Sequence, residues 1–104
     1  MVIYAINISI IDLITQKDIK NFEEQLKGVV LDRDRLRLVK TIANSFTFTS
    51  ENVKKLVQIQ HYGEPKIQTA ILMYPNVTDK QNYQMVIDEF YEDEKKMIKQ
   101  TLKI

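Results

Sequence analysis

His61 is the sole histidine among the 104 residues, so a two-histidine metal motif or a histidine relay has nothing to be built from. It stands beside Tyr62 and Gly63 at the expected end of a helix, where the dipole favours an imidazolium. That role accounts for it without a reaction, since acid or base work needs a partner that the sequence does not name. Carboxylates crowd "IDEFYEDEKK", with Asp88 and Glu92 four residues apart and Glu89 and Asp93 likewise. Such pairs can exchange protons or hold calcium, but no loop has alternating oxygen ligands around a central glycine. Glu92, Asp93 and Glu94 fall in the first turn of an expected helix, with Lys95, Lys96, Lys99 and Lys103 behind them. That order complements the helix dipole and predicts a Glu92 to Lys96 pair. No catalytic, cofactor-binding or metal-binding residue is therefore assigned.

Arg33, Arg37 and Lys40 of "LDRDRLRLVK" share a helical face beside Leu36 and Val39, diluted by Asp32 and Asp34. A solvated face with buried stems is the plainer account, and an acidic partner the sharper one. Of the tyrosines, Tyr74 and Tyr83 fall at expected core positions, which leaves Tyr62 and Tyr91 as contact residues of the kind enriched at interfaces. The candidate partner contacts are thus Tyr62, Tyr91, Arg33 and Arg37. Lys and Arg number 15 against 14 for Asp and Glu, a net charge of +1, so no single-sign field attracts nucleic acid. Two glycines, Gly28 and Gly63, stand too far apart for a phosphate loop. The absence of cysteine removes disulfides and thiolate metal sites.

Helices must position these groups, because two glycines and two prolines leave few of the turns an all-β chain needs. "DKQNYQMVI" from Asp79 resembles "DIKNFEEQL" from Asp18 and "TSENVKKLV" from Thr49. Each has a capping residue, an asparagine three later (Asn21, Asn52, Asn82), an apolar residue next (Phe22, Val53, Tyr83) and another four further on (Leu26, Val57, Ile87). A cap followed by an i, i+4 apolar pair is the pattern of an amphipathic helix start. The register continues through Leu36, Ile67 and Met97, and through Ala43, Tyr74 and Ile104. In "HYGEPKIQ", Gly63 can close one helix, Glu64 cap the next, and Pro65 occupy its first position.

The spacing predicts helices near 18–28, 33–44, 50–61, 65–74, 80–90 and 93–103, paired as three consecutive hairpins. The phenylalanines of the linker "TIANSFTFTS" are expected against the core. Residues 1–14, "MVIYAINISIIDLI", lack a basic leader region and fall short of a bilayer, so neither a signal peptide nor membrane insertion is expected. Their β-branched residues favour an extended arm, although Ile3, Ile6, Ile10 and Leu13 also fit a helical face. A lone strand needs a partner, which suggests a homodimer through the arm. The expected fold is all-α: an apolar N-terminal arm (1–14) and a single helical-hairpin repeat domain (15–104) forming a compact bundle or short stack.

The stretch from Phe48 to Ile98, with Thr49, Tyr74, Pro75, Asp79, Asn82 and Phe90 at the family's marked positions, resembles the helical family catalogued as domain of unknown function 4476. Phe22 to Ile42 is similar more loosely. The resemblance implies an all-helical module of the kind found in larger bacterial envelope or secreted proteins and in some eukaryotic ones. It implies no activity and carries no functional site across. No leader or preceding domain is expected from this sequence, which predicts a cytoplasmic location by default and an envelope or secreted one if a leader was removed. The expected function is a non-catalytic protein-interaction or scaffolding module. The rival is a small-ligand binder or enzyme with a pocket between hairpins near His61.

Overall fold

Capping side chains decide where the helices begin. In the computed structural model, which describes residues 12–61 and 63–104, the Thr15 hydroxyl accepts the Asp18 N–H at 3.1 Å. The Asp18 carboxylate in turn accepts the Thr15 N–H at 3.0 Å. This reciprocal box starts α1 (Gln16–Lys27). Asp18, expected as the cap, is therefore its answering group three residues inside. Thr49 caps α3 (Ser50–Gln58) as expected, with Asn52 replying to the Thr49 N–H.

Between them runs α2 (Asp32–Ser45), and after them α4 (Glu64–Met73), α5 (Gln84–Ile87) and α6 (Glu92–Leu102). Among the described residues these six helices form an all-α bundle of three consecutive hairpins. Gly63 precedes α4 with φ 93° and ψ −177°, a conformation almost reserved for glycine. Glu64, expected as the cap, becomes the first helical residue and Pro65 the second.

The most extensive packing is α2 along α4; α4 also packs on its chain neighbour α3, and the two-apart pairs α3 on α5 and α4 on α6 complete the bundle. Their inward faces supply a core that includes Phe22, Val53, Leu56, Met73, Tyr83 and Ile98. Burying each such large apolar side chain stabilises the fold by roughly 1.5–3 kcal/mol. The linkers entering α1, α3 and α5 lie side by side at one end. Thr47 donates its N–H to the Asp12 carbonyl and accepts from Ile14, while Phe48 donates to Asn76 and accepts from Thr78. The Phe48 ring is fully buried and Phe46 partly so.

The expected helix at 80–90 is a 3₁₀ turn (Lys80–Asn82) followed by the single turn of α5. Asp79 is drawn to the start of α3, and Asn82 donates to its carboxylate at 3.1 Å, which tightens the entry into i to i+3 bonding. Met97 and Ile104, expected inward, are 41% and 50% exposed. The inward face of α6 runs one residue later, through Ile98 and Leu102. The expected Glu92 to Lys96 pair is likewise displaced, for Lys95 meets Glu92 at 3.6 Å and Asp88 at 3.8 Å.

Most of the N-terminal arm, residues 1–11, lies outside the described residues, and with it the choice of strand or helix and the arm-mediated dimer. Leu13 bridges to Thr47, and Ile14 is core. Among the described residues no helix is long and apolar enough to cross a membrane.

Candidate functional site

The turns inside the three hairpins gather at the end opposite the linkers. A Cβ built on Gly63 would lie 4.0 Å from the Asp32 carboxylate, which brings the second turn beside the first. Lys66 joins the second turn to the third, reaching the Glu89 carbonyl at 3.4 Å and lying 5.4 Å from the centre of the Phe90 ring. This end carries the exposed apolar residues Val30, Leu31 and Tyr91, at 85%, 49% and 79% exposure. Such exposed apolar side chains would lose unfavourable contact with water if covered.

Grooves separate the turns. The first, of about 500 Å³, is walled by Lys27, Arg35 and Lys55 above Leu26, Ile59 and Pro65, with Glu23 at its edge. Arg35 is held there by donating to the Val29 carbonyl at 3.2 and 3.0 Å. Gln60 stands on the same wall, 8% exposed. Its amide nitrogen donates to the Leu56 carbonyl at 2.9 Å and to the Thr69 hydroxyl at 2.7 Å. Those bonds fix the amide's orientation, and its oxygen meets no donor among the described residues. A buried acceptor without a partner costs about 1–3 kcal/mol.

The second groove, of about 300 Å³, lies between His61 and Lys66 on one side and the acidic turn of Asp88, Glu89, Tyr91 and Glu94 on the other. The Glu94 carboxylate accepts the Tyr91 N–H at 3.0 Å, which leaves the Tyr91 ring projecting from the start of α6. His61 is exposed and lies on both grooves. Among the described residues no group of His, Asp and Glu could hold a metal ion.

Of the residues expected as partner contacts, Tyr91 stands on the turn end, and Tyr62 lies outside the described residues. Arg33 and Arg37 are exposed on α2 away from both grooves, Arg37 lying 3.7 Å from Asp34. The arginine that α2 does supply is Arg35. A signal for it was present: Leu31, Arg35, Leu38 and Ile42 recur at helical spacing, so Arg35 interrupts an apolar face. Gln60 gave the same kind of signal, for it continues the buried face of Val53, Leu56 and Val57 at helical spacing.

Elsewhere the titratable groups are structural. Burial pushes the Tyr83 hydroxyl well above its ordinary range, and Tyr74 adds to the shift. It stays a donor, bonded to the Ala70 carbonyl, with the Tyr74 ring edge-on at 4.8 Å. The Asp79 carboxyl is pushed up by burial, and the hydrogen bonds from Ser50 and Asn82 outweigh that and hold it below the usual range.

The family model described as domain of unknown function (DUF4476) matches residues 13–102, from the first linker to the end of α6. An uncharacterized protein of Dictyostelium discoideum is 63% identical over 35 residues, spanning 34% of this chain and 83% of that protein. No solved structure matches the chain. The match spans all six helices, and the chain belongs to the family of domain of unknown function 4476.

Proposed function

We propose that the protein is a non-catalytic interaction module whose contact surface is the end where the three hairpin turns meet, the hairpins being repeat units that place their turns side by side. The observation that carries this reading is the exposure of Val30, Leu31 and Tyr91 at that one end. Repeated hairpins present their turns as a continuous surface, since each unit is set by its neighbours. The linker end also exposes Leu13, at 48%, but there the backbone groups of successive linkers bond to one another. Against a reaction at His61 weighs the openness of both grooves, because acid and base chemistry gains from a site that excludes water.

The test is a triple variant, Val30→Ser, Leu31→Ser and Tyr91→Ser, followed by size-exclusion chromatography of the full chain from the cells that make it. Wild type should elute in a larger assembly, and the variant should melt within a few degrees of wild type yet elute at its own mass. Wild type eluting alone, or a variant that keeps the larger assembly, contradicts the reading.

A further inference from the structure

The first groove and the third turn complement each other in charge. The groove sets Lys27, Arg35 and Lys55 against Glu23, with Lys27 bonded to Glu24 at 2.9 Å, Arg35 4.0 Å from Asp32, and Lys55 outside the ion pairs of the described residues. In the turn, Asp88, Glu89, Glu92, Asp93 and Glu94 fall within residues 88–94, and Lys95 pairs with only Asp88 and Glu92. They also match in shape and polarity. The turn projects an exposed Tyr91, an apolar ring with a donor at its tip. The groove offers a floor of Leu26, Ile59 and Pro65 to such a ring.

Within one copy they stand side by side, separated by the turn at 59–63. A two-fold axis through that turn would set the groove of each copy against the acidic turn of the other, the self-complementary arrangement of a closed dimer.

We propose that the occupant of the first groove is the acidic third turn of a second copy of this chain, with Tyr91 seated between Lys27 and Lys55. This inference rests on the reading of the turn end as a contact surface and names the partner. Association driven by such charges weakens as salt screens them.

The experiment is sedimentation velocity on three full-length proteins: wild type, the groove variant Lys27→Glu/Lys55→Glu, and the turn variant Glu92→Lys/Asp93→Lys, each checked for helix content by circular dichroism. Wild type should form a dimer at low salt that dissociates as salt rises. Each variant alone should associate at least tenfold more weakly. An equimolar mixture of the two should restore the dimer, because one contact then pairs the reversed groove with the reversed turn and the other pairs the native groove with the native turn.

A wild type that stays monomeric to about 1 mM at low salt, variants that dimerise like wild type, or a mixture that fails to associate each overturns the proposal. If wild type is monomeric here yet forms a larger assembly in its own cells, the contact-surface reading survives and the self-pairing does not.

Discussion

Asp79 is the residue whose role changes most between sequence and structure. It has the type of a helix cap and is one, but for a helix that begins 29 positions earlier. Its carboxylate accepts the Ser50 N–H at 2.6 Å, and its carbonyl accepts the Ser50 hydroxyl at 3.1 Å. The Ser50 N–H is one of the first-turn donors that no helix can satisfy internally. Asp79→Ala should therefore lower stability by about 1 kcal/mol in urea unfolding, with Asp79→Asn costing less because an acceptor remains. The sign with pH follows from the carboxyls held below their ordinary value. For Asp18 the Thr15 N–H and then the Thr15 hydroxyl do this, and for Asp79 the bonds from Ser50 and Asn82 outweigh burial. Their contribution is complete above 3.8, the unfolded value, and is lost as pH falls through the lower folded ones. Unfolding followed from pH 6 to pH 2 should show stability falling below about pH 4, and Asp18→Asn/Asp79→Asn should flatten that fall. The asparagines that recur three residues after the expected caps do not share one task. Asn52 answers Thr49, Asn82 braces Asp79, and Asn21 is exposed on α1.

At the scale of elements, apolar spacing located the helices because each buries one face against the same core. Phe22, Val53 and Tyr83 are buried where the pattern put them. What spacing left out was the exchange between neighbouring units. The broken helix of α5 follows from Asp79 serving α3, and the one-residue shift along α6 follows from where Tyr91 and Glu94 start that helix. The first is a contact between residues 29 apart, which no local window joins, whereas the second is a local cap three residues from its partner. The turn before α4 was legible, since "HYGEP" places glycine where the chain must reverse. Gly63→Ala, forced to φ 93°, should cost about 1–3 kcal/mol by thermal unfolding. A loss below a few tenths would mean that the turn relaxes to a conformation other residues accept. The grooves were less legible: Tyr91 announced itself as a contact residue, but Arg35 and Gln60 gain their places only when α1, α2 and α4 close around α3.

For the whole molecule, packing between helices two apart in the chain makes each hairpin depend on the next. A chain ended at residue 78 would lose α5 from α3, α6 from α4, and the Asp79 acceptor from Ser50. Such a fragment should show little helix by circular dichroism, while the full chain should unfold in one transition seen alike by circular dichroism and tyrosine fluorescence. A folded fragment would mean that the first two hairpins hold themselves together. The same arrangement sends every linker to one end and every hairpin turn to the other, which places Val30, Leu31 and Tyr91 at the same end. The most direct test puts a photo-crosslinking residue, p-benzoylphenylalanine, at position 30 or 91, with position 44 near the linker end as the comparison. After irradiation in the cells that make the protein, positions 30 and 91 should give a discrete adduct and position 44 none. Equal adducts at all three positions, or none at 30 and 91, would contradict the turn end as the surface through which this protein acts.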